Sequence, residues 1–217
     1  MRSKVLKNLF VFEGIDGCGK TTQVNKFVER LRATYKDYTI EQTAEPTQSS
    51  VGKFLRESVL SGKVPLSTKT VIRLFAADRE EHLSEIRTRE KGKIFTVCDR
   101  YIASNIAYQG VGSVELSAYA RKQNEDFEIP FITFYLRVGE EDVPKIFERV
   151  CKRDETKEIF DKVETQKRLA QRFDDLFVNE DQTFSQYLSI VDATKTEKEV
   201  ADSIWEAFVT IMEDNND

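Results

Sequence analysis

The residues Gly14-Ile15-Asp16-Gly17-Cys18-Gly19-Lys20-Thr21 fill the pattern GxxxxGK[ST], and three of the chain's nine glycines fall within them. Glycine lets successive backbone N–H groups turn inward around phosphate oxygens, where a side chain would block the approach. A lysine in the Lys20 position reaches the β- and γ-phosphates, and a hydroxyl in the Thr21 position can meet Mg²⁺. If a helix begins there, the positive end of its dipole adds to the cradle. The chemistry implied is the gripping of a nucleoside triphosphate.

A second group lies about 80 residues on, at Asp99-Arg100-Tyr101. An acid at the C-terminal end of a strand beside the phosphate loop belongs on the Mg²⁺ side of such a site. Arg100 next to it supplies a fork of donors suited to phosphate. A guanine reader of the NKxD kind is absent, since Asn25-Lys26-Phe27-Val28 lacks the acid, and no switch-type DxxG follows a later strand. These features favour an ATP-using enzyme over a GTPase.

Positioning these groups requires strands that end at one edge of a sheet. Short apolar runs alternate with longer patterns of helical period, which predicts an α/β domain with a five-stranded parallel sheet flanked by helices on both faces. The strands are expected at Leu9 to Phe12, near Thr39 to Thr43, and at Ile94 to Cys98, Phe131 to Val138 and Leu188 to Val191. Val24, Phe27, Val28 and Leu31 form the stripe of the helix that follows the loop. A long helix is predicted from about Thr68 to Glu90, and the last helix shows Val200, Ile204, Phe208 and Ile211 on one face with Trp205 beside them.

Composition bounds the rest. The 217 residues suit one domain and show no internal repeat or Pro/Gly/Ser-rich linker. At 40% hydrophobic and 33% charged the chain reads as globular and not disordered. A net charge of −5 argues against nucleic acid or an anionic membrane surface as a partner. Cys18, Cys98 and Cys151 are far apart and the chain has a single histidine, His82, so no zinc-ligand spacing arises. Reduced thiols, and no apolar stretch near the roughly 20 residues that span a bilayer, predict a cytoplasmic protein.

The stretches Phe75-Ala76-Ala77-Asp78-Arg79 with His82, Glu45-Pro46, Phe12 to Gly17 with Gly19 to Gln23, and Asp99 to Gly110 resemble thymidylate kinases along nearly the whole chain. The phosphate loop is shared by many enzymes, whereas FAADR combined with DRY and AYQG is far more specific. The resemblance implies a P-loop NTPase fold, transfer from ATP to dTMP with Mg²⁺, and a homodimer. Carried over residue by residue, Gly14 to Thr22 would hold the ATP phosphates. Phe75 would stack on thymine, and Arg79, one turn away, would bond its carbonyl. Asn105, Tyr108 and Gln109 would close the acceptor pocket, and amides such as Asn105 and Gln109 suit a thymine edge because they both donate and accept. Asp16 would meet the acceptor's 3′-hydroxyl, and Arg56 would lie near the monophosphate. Lys20, Arg100 and Asp99 would serve catalysis, with Thr21 and Asp99 on the metal.

After the fourth strand, Arg149, Lys152 and Arg153 share a helical face and are followed by polar residues, which resembles the family's lid, here about 149–162. Some members place a catalytic arginine after the loop acid, but that position is Gly17. Arg153 is therefore assigned to the transferring phosphoryl group and Arg149 to adenine, roles that the spacing leaves interchangeable. Three positions depart from the family pattern: Ala44 in place of arginine, Thr47 and Gln48 in place of glycines, and Arg137 where an acid is usual. The first two touch the acceptor loop. Two other readings stay open at this point: a P-loop kinase for a different base, or a nucleotide-binding protein without turnover.

Overall fold

The computed structural model describes residues 4–89, 92–151, 158–179 and 184–215. Its sheet has five strands: β1 (Val5–Glu13), β2 (Thr39–Ala44), β3 (Ile94–Asp99), β4 (Ile129–Arg137) and β5 (Tyr187–Asp192). They lie in the order β2-β3-β1-β4-β5 and every pair is parallel, as expected. The central strand β1 is an apolar run because helices cover both of its faces. Phe10 and Phe12 project to one face, where both lie against Phe27 at 6.1 and 5.5 Å between ring centres. The alternate residue Glu13 points to the other face and meets the start of α4.

Helix α1 (Lys20–Thr34) starts inside the phosphate motif and buries Val24, Phe27, Val28 and Leu31. It packs with α8 (Glu197–Glu213), whose buried residues are Val200, Ile204 and Phe208. Ile211 is only half-buried, and Trp205 stays partly open with the Arg30 guanidinium 4.6 Å above its ring. Thr196 caps α8 through a reciprocal pair with Glu199, which satisfies N–H groups at the helix start.

Between β2 and the long helix α3 (Thr68–Arg89) lies the short α2 (Ser50–Phe54), which continues into a π-helical turn, Leu55–Val59. On the second face α4 (Ile102–Gly110) is followed by α5 (Val114–Asn124). After β4 a 3₁₀ turn (Glu140–Asp142) leads into α6 (Val143–Cys151), and α7 (Glu158–Asp174) ends in a second π-helical turn, Asp175–Asn179. Helices α5 and α7 were not anticipated from sequence, although Leu169, Ala170 and Phe173 form a buried stripe on α7. No helix among the described residues is long and apolar enough to cross a membrane.

Candidate active site

The loop between β1 and α1 has the backbone that the motif requires. Gly14, Gly17 and Gly19 have φ of 146°, 79° and 93°, values that L side chains resist. A Cβ on Gly14 would also lie 2.7 Å from the Leu136 carbonyl oxygen. Ile15 and Cys18 bury their side chains, the Cys18 sulfur accepting from the Lys20 ammonium at 3.8 Å. The Lys20 ammonium is buried across this hollow and donates to the carbonyls of Gly14 at 3.0 Å and Ile15 at 2.7 Å.

Parallel pairing places Asp99 opposite Phe12, and hence beside this loop. The Thr21 hydroxyl donates to Asp99 Oδ2 at 3.0 Å. Asp99 Oδ1 is buried and has no hydrogen-bond partner among the described residues. An unpaired buried carboxylate oxygen beside a threonine hydroxyl is a hard-oxygen donor set that suits Mg²⁺. Among the described residues no group of three or more His, Cys, Asp or Glu could hold a metal unaided.

Arg100 has φ of 73°, and among the described non-glycine residues it alone is positive. The turn is held from several sides: its N–H donates to the Phe12 carbonyl at 2.9 Å, and the Cys98 thiol donates to its carbonyl at 3.1 Å. Glu13 accepts the N–H groups of Tyr101 and Ser104, at 2.8 and 3.1 Å, and the Ser104 hydroxyl. The guanidinium bonds Ser104 Oγ at 3.1 Å, the Asp16 carboxylate, and the Tyr108 hydroxyl at 3.2 Å, with its carbon 4.8 Å over the Tyr108 ring. Burial works against the Arg100 charge, but Tyr108, Asp16 and Glu13 outweigh it and hold its pKa above the ordinary value. Burial likewise pushes the Tyr108 hydroxyl up, so it stays protonated.

Asp16 is also braced by α7. Gln166 accepts the Asp16 N–H at 3.1 Å and returns an amide N–H to Asp16 Oδ2 at 3.2 Å. Sequence reading missed Gln166; the available signal was a polar residue within the apolar stripe of α7.

Two cavities meet at these residues. One, of about 260 Å³, is lined by the loop residues Asp16 to Thr22 other than Cys18, with Asp99 and Arg100. The other, of about 270 Å³, is lined by Asp16, Glu45, Pro46, Leu60, Phe75, Arg79, Arg100, Tyr101, Ser104, Asn105, Tyr108 and Gln109. Asp16 and Arg100 line both.

The second cavity has a polar floor. Arg79 is wholly buried and pairs with Glu45 at 2.5 Å. The same carboxylate meets His82 Nδ1 at 3.0 Å, whose Nε2 meets the Thr43 hydroxyl at 3.1 Å. Arg79 also donates to Asn124, which donates to Asn105, which donates to Gln109. Arg79 Nε is buried without a partner among the described residues. Asn105 thus spends its oxygen and one amide hydrogen inside the protein rather than facing the cavity with both.

The model of the thymidylate kinase family matches residues 12–204. The chain belongs to the thymidylate kinase family. A probable thymidylate kinase of Methanocaldococcus jannaschii is 38% identical over 192 residues, covering 88% of this chain and 90% of that one. One from Methanococcus maripaludis is 36% identical over 212 residues, covering 96% and 98%. One from Methanococcus vannielii is 39% identical over 168 residues, 77% of each. Family membership accounts for the P-loop kinase fold and for a nucleotide-binding transferase.

Against that family pattern the unusual positions acquire local reasons. Thr47 donates its N–H and hydroxyl to buried Asp78, at 2.7 and 2.6 Å, so the acceptor loop is held without a glycine there. Arg56 grips this loop through the carbonyls of Pro46 and Thr47 and through Gln48 Oε1, and it does not line the cavity. Arg137 makes a two-pronged pair with Asp174 at the end of α7, which also accepts the Tyr135 hydroxyl. The structure offers no reason for Ala44. The Arg149 side chain and all of Arg153 lie outside the described residues, as do 152–157 of the expected lid.

Proposed function

We propose that the protein transfers the γ-phosphoryl group of ATP to the 5′-phosphate of dTMP, giving ADP and dTDP. The observation that carries this reading is the pair of cavities joined through Asp16 and Arg100, one at a phosphate loop and one lined by a base-sized polar and aromatic rim. An acceptor phosphate oxygen attacks the γ-phosphorus as the bond to the β-bridging oxygen breaks. A monophosphate dianion needs no general base, so catalysis is positioning plus charge stabilisation.

Lys20 and Arg100 would offset charge on the transferring group, and Arg100, held in its strained turn, costs little to reorganise. Thr21 and Asp99 would hold Mg²⁺, which would supply positive charge to offset that of the phosphate oxygens. Gly14 to Thr22 would cradle ATP. Phe75 would stack on the base and Arg79 bond its carbonyl, with Asn105, Tyr108 and Gln109 closing the pocket. Asp16 would meet the deoxyribose hydroxyl. Arg56 would lie near the monophosphate, held to the loop by its bonds to the Pro46 and Thr47 carbonyls. Arg153 on the phosphoryl group and Arg149 on adenine complete the site from the lid, about 149–162. We further read the chain as a single domain acting as a cytoplasmic homodimer with no nucleic-acid or membrane partner.

The test uses ATP labelled at the γ-position with Mg²⁺ and dTMP. The expected result is label in dTDP at one equivalent per ADP formed. Label released only as inorganic phosphate would overturn the reading.

A further inference from the structure

The chain of amides beneath the acceptor cavity has a direction. Arg79 can only donate, so Asn124 must turn its Oδ1 toward it. The other end of that amide is fixed independently, because Asn124 Nδ2 donates to the Ala120 carbonyl at 2.7 Å, a group that can only accept. The second hydrogen of Asn124 Nδ2 goes to Asn105 Oδ1 at 2.8 Å. Asn105 therefore offers Nδ2 to Gln109 Oε1 at 2.9 Å. Gln109 thus turns its oxygen toward Asn105 and the N–H groups of Nε2 away from it.

We infer that Asn124, which does not line the cavity, sets the acceptor specificity by fixing this polarity. Through Asn105 it makes Gln109 a donor, as Arg79 already is. A rim of donors fits a base edge bearing keto oxygens and leaves an exocyclic amino group facing hydrogen. Mispaired buried polar groups discriminate strongly, so the effect is large for so small a change. Asn124 is a positioning residue, since it acts through Asn105 and Gln109. This inference rests on the acceptor reading above and specifies its base selectivity.

Asn124→Asp reverses the direction. A carboxylate gives up the bond to the Ala120 carbonyl and accepts from both Arg79 and Asn105, so Asn105 turns its oxygen to Gln109, and Gln109 turns its oxygen to the cavity. The experiment measures kcat/KM for dTMP, dUMP and dGMP against dCMP and dAMP, together with KM for ATP and the melting curve. The expected result is a fall in the dTMP:dCMP preference of about tenfold or more, with the ATP KM within about twofold of the parent. A merely structural role would lower every acceptor alike, and an unchanged ratio in the folded variant overturns the inference. If Asn124→Asp shows no cooperative melt, Asn105→Asp is read instead. It cannot donate to Gln109, so the same fall is expected and the same constancy overturns. A parent enzyme that favours dGMP overturns the thymine reading but leaves the inference to the dGMP:dAMP ratio in the same variants. A parent that favours an amino base overturns both.

Discussion

Glu13 accepts the Tyr101 N–H at 2.8 Å, a bond that ties the last residue of β1 to the residue following the strained Arg100. Its other bonds run to Ser104, whose hydroxyl in turn receives Arg100. The carboxylate thus fixes the arginine that stands between the two cavities.

Glu13→Gln should loosen Arg100 and lower kcat by about tenfold, since small displacements of a positioning group are costly. Stability supplies a second readout. Burial raises the Glu13 pKa, and the Ser104 and Tyr101 bonds and the Arg100 charge offset only part of that. An acid raised on folding stabilises most below its unfolded pKa, and that contribution is lost as pH rises through the folded value. The gap in melting temperature between parent and variant should therefore narrow from about pH 5 to pH 8. A widening gap contradicts the assignment.

Arg79 and Glu45 form a buried pair at 2.5 Å, so removing one leaves the other charge uncompensated. Arg79→Ala should cost about 3–5 kcal/mol in denaturant unfolding. Below the midpoint its KM for dTMP should rise far more than its KM for ATP. An effect confined to ATP would misplace the base pocket.

Lys20→Ala removes the ammonium that spans the phosphate loop. Turnover should fall by roughly 10²–10³-fold or more, the scale for losing a charge-stabilising donor. The melting temperature should change little, as the Gly14 and Ile15 carbonyls can be met by water. Retained turnover would place the triphosphate elsewhere.

Asp99 keeps one buried oxygen beside Thr21 unpaired among the described residues. Chelation of Mg²⁺ should abolish turnover and its return should restore it, while Asp99→Asn should demand a much higher Mg²⁺ concentration for half-maximal rate. An unshifted Mg²⁺ midpoint argues that Asp99 is not on the metal side.

The sheet and the phosphate loop were legible because their signals are local. Leu9 to Phe12 is a continuous apolar run followed by closely spaced glycines, and Val24 to Leu31 repeats at helical spacing. Asp99 could be placed because a strand end next to the loop is a topological position. What stayed hidden depends on contacts between distant segments. Glu45, His82, Asn124 and Asn105 join the segment after β2 to α3, and α5 to α4, through single side chains, and no spacing in the chain encodes such meetings. Arg137, where the family pattern has an acid, finds its reason only in Asp174, which α7 brings to it. Arg56 resembles a phosphate ligand by position, and its contacts with the Pro46 and Thr47 carbonyls are likewise not encoded by spacing.

Initial rates with ATP and Mg²⁺ over dTMP, dUMP, dCMP, dGMP and thymidine test the central claim most directly. The account predicts the highest kcat/KM for dTMP, by about tenfold or more over dCMP and dGMP, and negligible rates with thymidine, which lacks the acceptor phosphate that the proposed transfer requires. Another acceptor used as well as dTMP or better would contradict it.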